Sequence, residues 1–524
     1  MQKTKANNKK SHDVVKSISN NEELHDIFAA QFDYSYLSYD TADTDIESYL
    51  GAFSCSLSEN FFLFCRRFYV LPLFFTWYSF FLLSKSFLSF FLFSGLILHM
   101  FLILLKNSLF GSKEGEKVSD LRERYLKKRD DKKKFKHGPN TPIYSILLPV
   151  YMEEESVIEQ LFTAIHNLDY PKDKLQVLLL LESIDSETID HVKNIETKLD
   201  YDMIIVPNFQ PRTKAKACNY ALKFVRGEYV VIFDTDDIPD QDQLNIALQK
   251  FMEGDKDLAC LQAKLNYYNA DENLLTRLFS IEYAILFDGL LPALSKQNYP
   301  LPLGGTSNHF KVEFLKKLKG WDIYNLTEDA EIGMRLAANG YKAKVIDSYT
   351  AEEAPITLWT WIKQRSRWLK GFIQTYLLLL QKKHNFTSKV GFKKSLISLH
   401  FMIGLSTLSL VITPIMFIMG LCLRLSNETI MGNDLILNLS LLTFILWIFL
   451  TSKQVIKVME KSEFFSGLSK LKKVTCIATF PIYFMLHTVA VFFAIFDLIR
   501  RPFYWSRTKH GVTKKSILIN NRCN

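Results

Sequence analysis

The sequence has few cysteines, and they are scattered. Among its 524 residues no two cysteines stand in a CxxC pair. An odd number of separated cysteines is atypical of a disulfide framework or a zinc knuckle and is typical of a reducing compartment. The seven positions are Cys55, Cys65, Cys218, Cys260, Cys422, Cys476 and Cys523.

Charge is absent from two long stretches near the start of the chain. Residues 68–83 and 87–105 contain no Asp, Glu, Lys or Arg, and Lys85 stands in the short break between them. The second stretch is long enough to cross a hydrocarbon core ~30 Å thick as a helix, and the first is nearly so. Core helices of soluble proteins rarely run so long without charge. We therefore expect a transmembrane hairpin over residues 61–105.

The first 60 residues are polar and lack the apolar stretch of a cleaved signal peptide, so they are predicted to form an N-terminal cytosolic segment. Residues 106–137 form a basic linker that contains KKRDDKKKFK. Positive charge beside a span marks the cytoplasmic side of a membrane. Anionic lipid headgroups therefore explain the net charge of +9 as well as nucleic acid would, and no nucleic-acid partner is expected.

Residues 138–393 lack such spans and alternate short apolar runs with helical patterns. The helix after the first run places Val157, Leu161, Ile165 and Leu168 on one face. β-α-β alternation with apolar strands predicts a parallel sheet covered by helices, with ligands bound beyond the carboxyl ends of the strands. The predicted strands are 144–150, 175–181, 203–206 and 229–233.

Apolar blocks return in residues 394–499, and a basic tail follows at 500–524. Three spans would leave this tail outside, against the positive-inside rule. We therefore expect the block that contains Pro414 to hold two short or re-entrant segments. Residues 453–473, between the last two blocks, are basic and amphipathic and are predicted to lie as a helix in the membrane interface. The three blocks are 395–423, 435–451 and 474–499.

Acidic residues follow three of the predicted strands. Asp234 and Asp236 come directly after the fourth strand, where hard oxygen ligands suit Mg²⁺ or Mn²⁺. Asp185 follows the second strand, and Tyr151 and Glu153 follow the first, where they could stack on a base and hydrogen-bond it. Taken alone, Tyr151, Glu153 and Asp185 each fit an ordinary turn better than a binding site.

Two further segments carry basic or aromatic groups. Lys214 and Lys216 stand at a helix start, where a cation and the helix dipole can meet a diphosphate; an exposed basic loop is the alternative. The segment WIKQRSRWLKG places arginine and tryptophan where they could neutralise phosphate and stack on a sugar. Trp359, Trp361 and Trp368 could instead form an interfacial belt.

The pair Glu328 and Asp329 begins another predicted helix. Together with Thr327 and Glu331 it has the composition of a helix N-terminal cap, where side-chain oxygens accept free backbone N–H groups. A catalytic carboxylate at the same place is compatible with capping.

Asp185, DTD, TED and QRSRW, in this order after a β-α-β start and between flanking spans, resemble the membrane-embedded family 2 glycosyltransferases. This group includes cellulose, curdlan and hyaluronan synthases, and the resemblance covers about residues 140–380. The segments LGGTSNHF, WDIYNLTED and EEAP further resemble the bacterial cellulose-synthase-like branch. The resemblance implies a GT-A-type, Rossmann-like α/β catalytic domain in the cytosol, flanked by transmembrane helices, in the bacterial inner membrane.

By resemblance, Tyr151, Glu153 and Asp185 contact the nucleotide of a UDP-sugar donor, and Lys214 and Lys216 lie near its diphosphate. Asp234 and Asp236 bind Mg²⁺ or Mn²⁺, with Asp234 also facing the donor. Asp329 is the general base that takes the proton of the acceptor hydroxyl, which implies inversion at the anomeric carbon. The acceptor and the diphosphate are held by Glu328, Gln364, Arg367 and Trp368.

The tail segment FYWSRTKHG resembles the cytoplasmic gating loop of cellulose synthases, with Trp505, Thr508 and His510 as its candidates; a basic headgroup-binding tail is the alternative. The expected partners are a UDP-sugar, a glycan or lipid acceptor, the bilayer and, for export, accessory subunits. Three functions stay open: a processive β-glycan synthase, a transferase that adds one sugar to a membrane lipid, and a catalytically silent anchor or transporter.

Overall fold

The computed structural model describes residues 137–504 except 382, 405, 408–409, 411–432 and 463–464, together with Gly511 and Thr513. The predicted N-terminal segment, the hairpin over residues 61–105, all but the last residue of the basic linker, and Pro414 lie outside the described residues. The same holds for the gating-loop candidates Trp505, Thr508 and His510.

The predicted β-α-β order is confirmed. The strands are β1 Tyr144–Val150, β2 Leu175–Glu182, β3 Asp202–Val206, β4 Tyr229–Ile232, β5 Ile238–Pro239, β6 Leu258–Tyr267, β7 Asn308–Lys311 and β8 Lys342–Glu352. The helices of the domain are α1 Glu155–His166, α2 Ser186–Asn194, α3 Lys214–Ala221, α4 Gln243–Glu253, α5 Leu274–Ala284, α6 Leu291–Lys296, α7 Val312–Lys317, α8 Glu328–Ala338 and α9 Leu358–Gln381. They are followed by α10 Lys383–Val390, α11 Phe392–Ser395, α12 Asn433–Lys461 and α13 Lys470–Arg500. A 3₁₀ turn spans Lys172–Lys174, and π-helical segments span Ile285–Leu290 and Leu396–Gly404.

The eight strands form one sheet in the order β3-β2-β1-β4-β7-β6-β8-β5. β1 pairs in parallel with β2 and β4, and β2 with β3, as predicted. The expectation of a wholly parallel sheet is wrong, because β7 runs antiparallel to both β4 and β6, and β5 antiparallel to β8. The four residues NHFK of β7 lack the apolar run from which the parallel strands were recognised.

Both faces of the sheet are covered, which explains the continuous apolar runs of β1 and β2. On β1, Leu147 packs into one core, while Ile146 and Leu148 pack into the other. The predicted face of α1 is buried, with exposed fractions between 0% and 5% for Val157, Leu161, Ile165 and Leu168. Side chains that alternate between two cores fix the register of β1, so its carboxyl end is held rigidly.

Two helical stretches of the described part are long and apolar enough to cross a bilayer, Leu274–Lys296 and Lys470–Arg500. The first belongs to the domain that contains the sheet, and 56% of its apolar window is buried inside the protein. The second is α13, which packs against α9 and exposes Ile482, Phe492 and Phe496 on its outer face. The segment 453–473 does not form a helix of its own: it continues α12 as far as Lys461 and then begins α13 at Lys470.

Candidate active site

A cavity of about 540 Å³ lies beyond the carboxyl ends of β1, β2 and β4, where the parallel strands predicted a ligand site. It continues between the sheet and the C-terminal helices α9, α12 and α13. Ten predicted site residues line it: Tyr151, Glu153, Lys214, Asp234, Asp236, Glu328, Asp329, Gln364, Arg367 and Trp368. Two others, Asp185 and Lys216, are not among the lining residues.

Asp185 shapes the end of β1. Its Oδ2 accepts a hydrogen bond from Met152 N (2.5 Å), and its Oδ1 caps α2 by accepting from Thr188 N (3.3 Å). Met152 has a φ of 56°, a left-handed conformation that is uncommon for a residue with a side chain. This turn lets Tyr151 and Glu153, on either side of Met152, both line the cavity. Asp185 therefore holds the loop that presents them, and the lining carboxylate at the end of β2 is Glu182.

The Lys216 side chain points into the interior of the protein and is hydrogen-bonded there. Its side chain is fully buried, and its Nζ lies 2.8 Å from Glu182 Oε2 and donates to the carbonyl oxygens of Pro207 and Phe209. Burial lowers the pKa of Lys216, while the Glu182 carboxylate works against that shift. Lys216 thus positions Glu182, in place of the predicted contact with a diphosphate.

Replacing Lys216 with methionine is expected to destabilise the fold, because Glu182 would be left as an uncompensated buried charge. Losing one partner of a buried ion pair costs about 3–5 kcal/mol. Thermal unfolding of the purified full chain should show a clearly lowered midpoint for Lys216→Met. The double variant with Glu182→Gln should recover part of the loss. A single variant as stable as the wild type would contradict this role.

Lys214, two residues earlier, does line the cavity. Its Nζ donates to Asp234 Oδ1 and to the carbonyl oxygen of Gly305, the latter at 2.7 Å. Burial opposes its charge, but the Asp234 and Glu328 carboxylates outweigh that effect and raise the pKa of Lys214 above its usual range. Thr213 caps α3 through Lys216 N, so Lys214 stands in the first turn, where the helix dipole also favours an anion.

Asp234 and Asp236 lie directly after β4 and line the cavity together. Asp236 Oδ2 accepts from Glu353 N (2.8 Å), which fixes that carboxylate. The neighbouring Asp237 faces inward: it accepts from Asp234 N and from the Thr306 hydroxyl, and burial raises its pKa well above the ordinary range. Asp237 therefore stabilises the turn that directs Asp234 and Asp236 toward the cavity.

The residues present fit a divalent cation. Asp234 and Asp236 offer oxygen ligands at the cavity, and no group of three or more candidate ligand side chains occurs among the described residues. Mg²⁺ and Mn²⁺ favour such oxygen sites, and Mg²⁺ in particular keeps waters and completes its ligand set with substrate phosphate oxygens. A cation held there would supply positive charge to a leaving diphosphate.

The first turn of α8 presents Glu328 and Asp329 on the cavity wall. Thr327 occupies the N-cap position, but its side chain accepts no capping hydrogen bond. Instead, Asn325 Oδ1 accepts from Thr327 N (3.0 Å), and Asp329 Oδ1 accepts from Ala330 N (2.8 Å). Burial raises the pKa of both carboxyls, and for Glu328 the charge of Asp329 adds to the effect.

Helix α9 carries Gln364, Arg367 and Trp368 to the same cavity. The Arg367 guanidinium interacts with Glu328, Asp234 and Asp329; burial lowers its pKa and the three carboxylates oppose the shift. Trp368 is half-buried, with its ring 6.0 Å from that of Phe279. The other two tryptophans of α9 lie away from the cavity. Trp361 is fully buried against Tyr483 and His487, and Trp359 is exposed beside Phe493.

The C-terminal segment contacts helix α9 and the cavity-lining residue Glu353. Lys370 Nζ donates to Arg501 O (2.8 Å), and Gln374 Nε2 donates to Pro502 O (3.0 Å), so α9 holds the chain just after α13. Further along, Gly511 N and Thr513 N donate to the two carboxylate oxygens of Glu353 at 2.6 and 2.9 Å. The tail thus touches a cavity-lining residue at its described positions.

Comparisons with known proteins agree with this geometry. A model of glycosyl transferase family 2 matches residues 145–311, and a model of glycosyl transferase family group 2 matches residues 229–452. Together the two models cover residues 145–452, which are therefore similar to family 2 glycosyltransferase domains. The glycosyltransferase domain has the mixed α/β sheet of the GT-A-like fold, with a candidate span, α13, on its C-terminal side.

Among relatives of this glycosyltransferase domain, a probable glycosyltransferase YdaM of Bacillus subtilis (strain 168) is 27% identical over 388 residues, which cover 72% of this chain and 85% of that protein. The mannosyltransferase PcManGT from Pyrobaculum calidifontis, in complex with GDP-Man and Mn²⁺, matches with a TM-score of 0.43 at 20% identity, covering 75% of this chain and 99% of that one. S. aureus TarS 1–349 matches with a TM-score of 0.34 at 15% identity, covering 70% and 97%.

Several lining residues of the glycosyltransferase domain were not predicted from sequence as site residues: Glu182, Arg212, Glu352, Glu353, Arg365 and His487. Glu182 ends a buried strand and Arg365 stands within QRSRW, so position alone could have indicated both. His487 could have been found by another feature of the sequence: an ionisable residue inside a long apolar helix is a candidate for a functional site.

Proposed function

We propose that this protein transfers a sugar from a UDP-sugar to a growing β-linked polysaccharide, with inversion, and that its own membrane helices export the product. One observation carries the proposal. Lys214 donates to Asp234 and to Gly305 O, and a Cβ on Gly305 would stand 3.5 Å from Asp329 Oδ2. Lys214, the cation proposed to meet the diphosphate, and Asp329, the candidate base, therefore lie on adjoining parts of one wall of the cavity.

In this reaction an acceptor hydroxyl attacks the anomeric carbon on the face opposite the diphosphate, and Asp329 takes the hydroxyl proton. The new C–O bond forms as the bond to the phosphate oxygen breaks, and UDP leaves with its charge met by Lys214 and Arg367. Attack from the opposite face turns an α-linked donor into a β-linked product. Asp234 and Asp236 would hold Mg²⁺ or Mn²⁺ beside the leaving group. A catalytically silent anchor would have no use for these converging charges.

The far side of the cavity supports a sugar polymer as acceptor. Aromatic rings suited to stacking on sugar faces come from Trp368, Trp447 and Phe484, and hydroxyl or amide groups come from Thr451 and Gln454. The second candidate, a lipid acceptor, is favoured by aliphatic residues on the same walls, among them Leu286, Leu290 and Ile403. By this proposal the catalytic domain lies on the cytosolic side of the bacterial inner membrane.

Incorporation of radiolabel from UDP-sugars by isolated membranes, with Mg²⁺ or Mn²⁺, tests the proposal. We expect labelled polymer that stays in the aqueous, alcohol-insoluble fraction and that is lost when the cation is chelated. Label confined to organic-extractable lipid would replace the polymer reading with the lipid reading. Incorporation of no sugar from any UDP donor would contradict both.

The rate of transfer is expected to fall as the pH drops through about 6. Burial raises the pKa of Asp329 from 3.8 to about 6. Because the base acts only when ionised, its active fraction is close to complete above pH 7 and declines below pH 6. The measurement is kcat/KM between pH 5 and 8, which reports the ionisation of groups in the free enzyme. A rate that stays level down to pH 5 would contradict this assignment.

A further inference from the structure

One face of α9 lies between two segments that are far apart in the sequence. Residues four apart share a face of a helix, and two such pairs form what we call the linking face: Lys370 with Gln374, and Gly371 with Thr375. The three of these residues that carry a side chain are at most 5% exposed. None of the four is among the residues that line the described cavity, so a role in catalysis would have to act through their neighbours.

On one side, the linking face holds the loop that leads into α8. Leu326 N donates a hydrogen bond to Gln374 Oε1 (3.2 Å), and Asn325 Nδ2 donates to Thr375 Oγ1 (2.8 Å). Asp329 stands in the first turn of α8, three residues after Leu326. The place of the Asp329 carboxylate on the cavity wall therefore depends on these two bonds.

On the other side, the linking face holds the segment that directly follows α13. Lys370 Nζ donates to the carbonyl oxygens of Arg501 (2.8 Å) and Tyr504 (3.1 Å), and Gln374 Nε2 donates to Pro502 O (3.0 Å). The reversed orientation of the Gln374 amide would set oxygen against oxygen and nitrogen against an N–H group, so the partners assign it. One amide group thus joins the end of α13 to the loop before the base.

We propose that Gln374, supported by Lys370, is a positioning residue for the general base, through which a displacement of α13 shifts the carboxylate of Asp329. Helix α13 lines the cavity with Phe480 and Phe484, so a product chain in the cavity contacts a helix whose end is joined to the base. A misplacement of about 1 Å of a catalytic group can cost about 10²-fold in rate, so a small shift is sufficient. This inference rests on the proposed function for the role of Asp329.

Lys370→Met is the decisive variant, because the described side-chain hydrogen bonds of Lys370 go only to the segment after α13. We expect it to speed amide exchange in the loop 324–327 on the order of threefold and to lower kcat by a similar factor. Gln374→Met removes the bridge itself and should change both quantities on the order of tenfold. Adding Lys370→Met to Gln374→Met should then change either quantity by less than about twofold, because the link is already cut.

The measurements are hydrogen–deuterium exchange over residues 324–330, read by mass spectrometry on the full-length protein in detergent, and kcat and donor KM for sugar transfer. A positioning role predicts that donor KM stays within about twofold of the wild type while kcat falls. Lys172→Met is the matched control, since Lys172 Nζ also donates to two carbonyl oxygens, those of His166 and Leu168. It should change neither exchange in the loop nor kcat.

Exchange needs no turnover, so a wild type that transfers no sugar would reject the proposed function and leave the link between α13 and the loop to be decided by exchange alone. Faster exchange in the loop of Lys370→Met, absent from Lys172→Met and not increased further in the double variant, supports the link. Unchanged exchange in Lys370→Met, additive effects in the double variant, or faster exchange with an unchanged kcat in an active protein would overturn the inference.

Discussion

Asp329→Asn is expected to lower kcat by about 10²- to 10⁴-fold, the usual worth of a positioned general base. The asparagine oxygen can still accept from Ala330 N, so the start of α8 should keep its shape. Donor KM should change little, because the carboxylate faces the acceptor and its proton transfer belongs to the transition state. Initial rates of label transfer from the UDP-sugar, measured over a range of donor concentrations, check both parameters.

Glu313→Gln is the matched control for this substitution. It also turns an acid into an amide, but on the exposed surface of α7, where Glu313 pairs with Lys317 at 3.6 Å. We expect it to keep the wild-type rate. An Asp329→Asn protein that retains more than about a tenth of the activity would return Asp329 to a structural role at the helix start.

Gly371→Ala is expected to reduce kcat by about 100-fold, although residue 371 does not line the cavity. A Cβ at this position of α9 would stand 2.6 Å from Thr327 Cγ2 and Oγ1 and 2.7 Å from Thr327 N. A side-chain rotation cannot relieve the contact with the backbone atom Thr327 N, so the start of α8, with Glu328 and Asp329, must shift. A misplacement of about 1 Å of a catalytic group is enough for a loss of this size.

Gly467→Ala serves as the control, because nothing lies within 4 Å of a Cβ added there. Both proteins should be compared by steady-state rates and by thermal unfolding. A fall in rate with an unchanged midpoint places the effect on the site. If Gly371→Ala transfers sugar as fast as Gly467→Ala, then the close approach of α9 to Thr327 does not position the base.

The sequence predicted the first half of the sheet well for a physical reason. Strands buried on both faces need uninterrupted apolar runs, and such a run at β4 marks the end of that strand, so Asp234 could be placed at the ligand edge. β7 was missed because four residues that include Asn308 and His309 carry no such run. Antiparallel pairing with β4 therefore became visible only in the structure.

Side-chain direction limited the prediction of the site. Lys214 and Lys216 stand two residues apart on α3, and each helical residue turns by 100°, so they point to nearly opposite sides. Only Lys214 reaches the cavity. At the end of β2, Asp185 accepts a hydrogen bond from Met152 N, and Glu182 lines the cavity instead. Spacing shows that the two lysines diverge, but which of them faces the cavity, and which carboxylate lines it, depends on contacts between distant parts of the chain.

The configuration of the new glycosidic bond tests the proposed mechanism most directly. The product should be made by the full-length protein from the α-linked, ¹³C-labelled UDP-sugar that it incorporates, and its anomeric signals should be read by NMR. A base at Asp329 that deprotonates an acceptor attacking from the face opposite the leaving diphosphate predicts a β-linked product. An α-linked product would contradict the single inverting displacement and the role of Asp329 in it.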